Sequence, residues 1–213
     1  MDVRLTELSC EEFAERVAAK ASVPGGGGVA ALVGALGASL CSMAGAFTVG
    51  KARYADVDAK VRRIMDEVED VRFHLLELVE EDALGFEPVT AAHARPADDP
   101  ARAAAIEQAT EGACMAPLAM MGECCRAVPL LEEMGKICSP LLISDVACAA
   151  LLVRAALETA SVNVYVNTSL LKDRSMAERV ESTCSELLDE YVPRAESLAL
   201  SITDRIGARV VAQ

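Results

Sequence analysis

Tryptophan is absent, aromatic residues make up 3% of the chain, and its 213 residues include two histidines, His74 and His93. A core without large rings must be assembled from Ala, Leu and Val, which suits helices packed at short distance. Two histidines leave few nitrogen ligands for zinc, and the eight cysteines (10, 41, 114, 124, 125, 138, 148 and 184) contain no C-x-x-C pair. No metal is therefore expected, and the thiols read as small buried groups of a reducing compartment. Positive charge is also scarce: 20 Lys and Arg against 33 Asp and Glu give a net charge of −13. That balance argues against a nucleic-acid partner or an anionic membrane surface, both of which need a basic patch. The N-terminus shows no basic-then-apolar signal pattern, so a cytoplasmic location is expected. No stretch alternates apolar and polar residues long enough for a strand. The expected class is all-α: a single-domain bundle over 1–213 with about six long helices around a central Ala/Gly-rich one.

Charge is missing most conspicuously between Val23 and Gly50, a run of 28 residues that opens on Pro24-Gly25-Gly26-Gly27-Gly28. Four consecutive glycines cost backbone entropy, so something must need bare main chain there, either a ligand against it or an anion at a helix start. A flexible turn is the plainer alternative, and a membrane span is the other. Against a span, the large groups Leu32, Leu36, Leu40, Met43 and Phe47 keep to one helix face while Gly34, Gly37, Ala38, Cys41 and Gly45 line the other. The spacing predicts the central buried helix of a soluble bundle, reaching about Gly50.

A first helix is expected near Ser9, where Ser9 and Glu12 form a capping-box pair, or a few residues earlier at Thr6. A third should span about Asp56 to Val89 and end in the polar loop Ala92–Asp99. The fourth should start at Pro100 and kink or break at Pro117. A fifth should follow the loop Gly135–Pro140, from Ser144 or Asp145 to about Lys172. The last should run from Ser175 to about Arg209 with a bend at Pro193.

Two stripes carry polar residues where apolar ones belong. On the third helix Val57, Val61, Ile64, Val68, Val71, Leu75 and Leu78 lead to Asp82, then Phe86 and Val89. A carboxylate facing a core is costly unless paired or placed in a cavity, and burial raises its pKa toward the range useful for proton transfer. A buried Asp satisfied by a helix end or by Lys51 is the structural alternative. On the fifth helix Asp145, Ala149, Leu152, Ala156, Ala160, Asn163 and Asn167 share one stripe. Asp145 could be an N-cap, and the asparagines could be interhelical hydrogen bonders. Eighteen residues at ~1.5 Å each separate Asp145 from Asn163 by ~27 Å, so the two cannot line one small pocket. His74, on a face with Asp70, Glu77 and Glu81, reads as a solvated histidine.

The ordered set Pro24–Leu32, Gly34–Ala38, Gly50-Lys51 with Tyr54, Glu81-Asp82-Ala83 with Phe86, Ser144-Asp145-Val146, Asn163-Val164 with Asn167, and Leu171-Lys172-Asp173 resembles the cyclodeaminase domain of formiminotransferase-cyclodeaminase and the related stand-alone methenyltetrahydrofolate cyclohydrolases. The resemblance covers about residues 5 to 205. It implies an all-helical homodimer acting on a tetrahydrofolate that carries a one-carbon unit, with Asp82 as acid/base and the glycine loop with Lys51 as pocket floor. The expected site is thus Asp82 and Lys51 as catalytic groups, with Pro24, Gly25, Gly26, Gly27, Gly28, Asp145, Asn163 and Asn167 binding substrate. Gly28 stands where the family's loop usually has Ser, and Met134–Pro140 lacks the expected asparagines. The resemblance leaves two reactions open, hydrolysis of a methenyl bridge or ring closure with loss of ammonia. The single short domain favours the hydrolase, an argument that a separately encoded formiminotransferase as partner would remove. A non-enzymatic helical interaction protein would leave the glycines and Asp82 without a purpose.

Overall fold

The computed structural model describes residues 3–211; residues 1, 2, 212 and 213, included in the single-domain expectation over 1–213, lie outside the described residues. Among the described residues seven α-helices and two 3-10 turns follow one another without a strand: α1 (Cys10–Ala18), α2 (Gly26–Ala46), α3 (Asp58–His93), α4 (Arg102–Ala113), α5 (Met115–Ile137), α6 (Ile143–Leu170) and α7 (Arg174–Val211), with 3-10 turns at Leu5–Glu7 and Ala52–Val57. Six of the helices exceed ten residues, in line with the all-α expectation. The start of α1 follows its sequence signal: Ser9 is the N-cap, its hydroxyl accepts from the Glu12 N–H at 3.2 Å, and the Glu12 carboxylate accepts the Ser9 N–H at 2.9 Å.

Helix α2 is the spine, and its small residues set the register of its neighbours. A Cβ at Gly27, Gly34 or Gly45 would run into Asp82, Leu75 or Met65 in turn, so α3 descends as α2 ascends. Gly26 faces Asn163 and Gly37 faces Val153, so α6 is antiparallel to α2 as well. At Gly34 four helices meet: an added Cβ would lie 3.1 Å from Leu75 Cδ1, 3.3 Å from Ala156 Cβ and 3.3 Å from Cys124 Sγ. Helix α7 packs outside α5 and α6, tied by Arg194, which donates to both oxygens of Glu132 at 2.8 and 3.0 Å.

This arrangement settles which face of α2 is covered. The glycine and alanine side of α2 is the buried one, and the side with the large groups faces outward, leaving Leu36 52% and Phe47 53% exposed. Helix α2 is central to the bundle as expected, packed on α3, α5 and α6, but half-covered rather than buried all round. Close approach decides this: a Cβ at Gly37 would sit 2.8 Å from Val153 Cγ2 and 3.1 Å from the Ala149 carbonyl, so only small residues admit the α6 backbone.

Other boundaries shift for local reasons. The fourth helix breaks at Cys114, three residues before Pro117, because a proline is accommodated in the first turn of a new helix, where its missing N–H costs nothing. Asp145 is not the N-cap of α6; Leu142 is, and Asp145 lies in the first turn, where its charge favours the helix dipole. Helices α3, α5 and α7 run through Pro88, Pro129 and Pro193. Phe86 is 39% exposed rather than core, since it faces the open cavity that Asp82 lines.

Candidate active site

The N-terminus of α2, the Asp82 turn of α3, the end of α4 and the last two turns of α6 surround a cavity of about 160 Å3. It is lined by Ser22, Val23, Gly25, Gly26, Gly27, Asp82, Phe86, Ala113, Asn163, Val166 and Asn167. Asp82 reaches across to α2 and accepts the Gly28 N–H on Oδ2 at 3.0 Å, leaving Oδ1 without a protein donor among the described residues. The glycines explain this reach. A Cβ on Gly27 would lie 2.5 Å from Asp82 Cγ and 2.6 Å from Oδ2, so the carboxylate occupies the space a side chain would need. At Gly26 the same atom would be 3.3 Å from both polar ends of the Asn163 amide. The tetrad is thus bare first of all for the site's own side chains. Gly28 is different, because a Cβ there meets only ordinary contacts, 3.5 Å to Pro24 Cβ and 3.8 Å to Val79.

The asparagines are fixed by their own bonds. Asn167 Nδ2 donates to the Ala113 carbonyl at 2.8 Å, pinning α6 to the break between α4 and α5. Asn163 Nδ2 donates to the Thr159 carbonyl at 2.9 Å. With one N–H of each amide committed, the amide oxygens and the second N–H of each remain to meet a ligand opposite Asp82. Just beyond, the Glu107 carboxylate accepts the N–H groups of Lys172 and Asp173 at 2.8 and 2.9 Å and fixes the turn out of α6.

Burial pushes the Asp82 carboxyl above the ordinary carboxylate range, and the Gly28 N–H pulls it partly back. Asp82 is the one ionisable side chain in the cavity wall. The N–H groups of Gly26 and Gly27 open α2 with no protein acceptor among the described residues, and α2's dipole adds its positive end here. A carboxylate made more basic by burial, beside two free donors, can take a proton from water and steady a developing oxygen charge.

Asp82, Gly25, Gly26, Gly27, Asn163 and Asn167 of the expected set converge in this cavity. Gly28 contributes through its N–H, and Pro24 is buried behind it as the turn into α2. Lys51 and Asp145 do not join them within one chain. Lys51 follows the other end of α2, some ~30 Å away at 1.5 Å per residue over its 21 residues, where its Nζ stands 5.9 Å from the Phe47 ring. Asp145, at the start of antiparallel α6, lies at that same far pole. Sequence reasoning missed Ser22, Val23, Ala113 and Val166, which carry no chemical signal and enter the wall through the chain's path. Among the described residues no three His, Cys, Asp or Glu side chains cluster as metal ligands would. Six cysteines are buried, and burial pushes the Cys41 and Cys125 thiols up to about 12, leaving them protonated.

Residues 9–186 match the family described as formiminotransferase-cyclodeaminase. A methenyltetrahydrofolate cyclohydrolase of Methylorubrum extorquens is 36% identical over 201 residues, covering 92% of this chain and 97% of that protein. The formimidoyltransferase-cyclodeaminase of Sus scrofa is 32% identical over 92% of this chain, which spans 36% of that longer protein. Among solved structures, a formiminotetrahydrofolate cyclodeaminase of Thermotoga maritima matches with a TM-score of 0.82 at 27% identity, covering 96% of this chain and 98% of its own.

Proposed function

The chain belongs to the formiminotransferase-cyclodeaminase family, and from that premise we propose that it is a folate one-carbon enzyme that hydrolyses 5,10-methenyltetrahydrofolate to 10-formyltetrahydrofolate. The observation that carries the reading is Asp82: a partly buried carboxylate with one oxygen held by Gly28 and the other free, inside a cavity whose remaining wall is neutral. Water attacks the electron-poor bridging carbon while Asp82 Oδ1 takes its proton. The tetrahedral carbon then carries a hydroxyl within reach of the Gly26 and Gly27 N–H groups. Asp82 returns the proton to the departing ring nitrogen, that carbon–nitrogen bond breaks as the hydroxyl gives its own proton to the freed carboxylate and on to solvent, and the formyl group remains on the other nitrogen. Asn163 and Asn167 accept from the N–H groups of the bicyclic ring and orient it.

The cyclohydrolase relative, matched over 97% of its own length, favours hydrolysis. The Thermotoga neighbour favours a second reading, in which a folate nitrogen attacks a formimino carbon and ammonia leaves, with the same carboxylate moving the proton. In that case a separately encoded formiminotransferase would supply the substrate. Following the absorbance of the methenyl compound separates the two: it decays under hydrolysis and appears from formimino-folate under deamination. No change from either starting material refutes both.

The reading includes a homodimer. The outward faces of α2 and α6 expose Leu36, Phe47, Leu151, Val162 and Val166, and α2 carries no charge along its length. A two-fold axis crossing α2 at Leu36, its midpoint, sets residue 36−n against the partner's 36+n and brings the partner's Lys51 toward the Asp82 cavity. The parallel alternative would abut two like helix termini and two carboxylates, which their dipoles and charges oppose. Lys51 then acts in trans as a fixed positive charge beside the folate.

A further inference from the structure

The cavity at Asp82 holds about 160 Å3, whereas sites for molecules the size of a folate run to about 300–1,000 Å3. On the folate reading above, which this inference rests on, the cavity takes the bicyclic ring and leaves the p-aminobenzoylglutamate arm outside. A second groove of about 500 Å3 starts one residue away: Gly85 precedes the cavity's Phe86 on α3, and Gly112 precedes its Ala113 on α4. It runs between α3 and α4 over Ala92, Ala105 and Ala109 to Arg95.

The glycines of this groove are unlike those of the α2 core. At Gly27, Gly34, Gly37 and Gly45 a neighbour fills the place of the missing Cβ, but a Cβ at Gly85 or Gly112 would meet nothing within 4 Å. Four helical glycines have such open space above them, and two of the four line this one groove beside the site. Gly85 sits in the interior of α3, where Gly is weaker than Ala by about 1 kcal/mol, and packing offers no return. Bare backbone under a groove lets a flat ring lie against the main chain. Arg95 stands ten residues beyond Gly85, ~15 Å along the helix direction. Its partner Asp99, at 2.9 Å, is partly exposed, so the pair is weak and can exchange. Beside it Arg102 donates, among the described residues, to the carbonyls of His93 and Arg95 alone. Within one chain the cavity contains no cation, and the partner's Lys51 brings a single charge at most, so the two carboxylates of the arm call for a further basic group.

We propose that the groove between α3 and α4 is the arm subsite, with the aminobenzoyl ring over Gly85 and Gly112 and the glutamate carboxylates at Arg95. The test is steady-state kinetics on Gly85→Leu, Gly112→Leu and Arg95→Gln, with melting temperatures as a control. Either leucine fills the groove without a clash in the fold, so melting does not fall. KM for methenyltetrahydrofolate rises about tenfold while kcat stays within about twofold. Free p-aminobenzoylglutamate inhibits the wild type competitively and no longer inhibits these variants. Arg95→Gln raises KM for the folate but not for methenyltetrahydropteroate, which lacks the glutamate. Unchanged KM in the leucine variants, or equal inhibition of variants and wild type, overturns the subsite while leaving the hydrolase standing. A wild type without turnover on either folate removes the reading and the subsite together.

Discussion

Replacing Gly27 by Ala adds one carbon where Asp82 already is. That carbon would lie 2.5 Å from Cγ and 2.6 Å from Oδ2, and contact becomes ordinary only at 3.4 Å, so the carboxylate must retreat by about 1 Å or the start of α2 must move. Either shift weakens the 3.0 Å bond from the Gly28 N–H and misplaces Oδ1 from the water it activates. A 1 Å misplacement of a reacting group costs on the order of 10²-fold in rate. Stability moves less, because Ala is better than Gly in a helix by about 1 kcal/mol while overpacking costs about 1–3 kcal/mol, leaving a net change between slight and about 2 kcal/mol downward. Gly28→Ala is the matched control: the same carbon one residue on meets only contacts of 3.5 Å or more, so it should keep its turnover and gain about 0.5–1 kcal/mol. The assay is the decay of methenyltetrahydrofolate absorbance beside thermal melting for both variants. Equal kcat in Gly27→Ala and Gly28→Ala would refute the cradle argument, since nothing else distinguishes the two positions so sharply.

Asp82→Asn should keep the fold and lose about 10²–10⁴ of the rate, because the amide preserves shape without accepting the proton; near-normal turnover would sink the role of Asp82. The folded pKa of Asp82 lies above its unfolded value, so its contribution to stability is present in full below the unfolded pKa and is lost as pH rises through the folded one. The variant should accordingly gain on the wild type between acid and neutral pH, and the wild-type rate should climb with pH through a value above the usual carboxylate range, both read from pH series of melting and kcat/KM. Lys51→Ala and Asp82→Asn, each impaired alone, should recover about a quarter of wild-type activity when refolded as a mixture, because half the dimers then carry one intact site of two; no recovery would overturn the action of Lys51 in trans. Leu36→Glu should put a charge at the centre of the subunit face and give monomers by sedimentation, with a persisting dimer overturning the proposed axis.

The features readable in the sequence were those where one residue conflicts with its surroundings or completes a local bond. The Ser9–Glu12 pair carries the start of α1 in its own chemistry, and Asp82 breaks an apolar period that is otherwise fully buried from Val61 to Leu75. Asn163 and Asn167 emerged for the same reason. The orientation of α2 was not readable, because both its sides are apolar and the choice depends on how closely the α6 backbone approaches at Gly37. Nor was the separation of Lys51 from Asp82: resemblance groups residues by order along the chain, whereas a helix of 21 residues holds its ends apart. The walls made by Ser22 and Ala113 depend on where chain turns pass, which no periodicity encodes.

The neutral wall around Asp82 has a consequence for how the reaction responds to salt. With no second ionisable side chain of the same chain lining the cavity, the proton affinity of Asp82 is governed by its burial, one N–H, the fixed dipole of α2 and, in the proposed dimer, the partner's Lys51 covered by the subunit contact, none of which dissolved ions neutralise as they do exposed charges. The pH at which catalysis switches on should therefore stay put as ionic strength rises. Capture of the substrate's anionic end, resting on solvent-exposed guanidinium groups, should weaken over the same range, so that salt moves KM and leaves the proton step where it was.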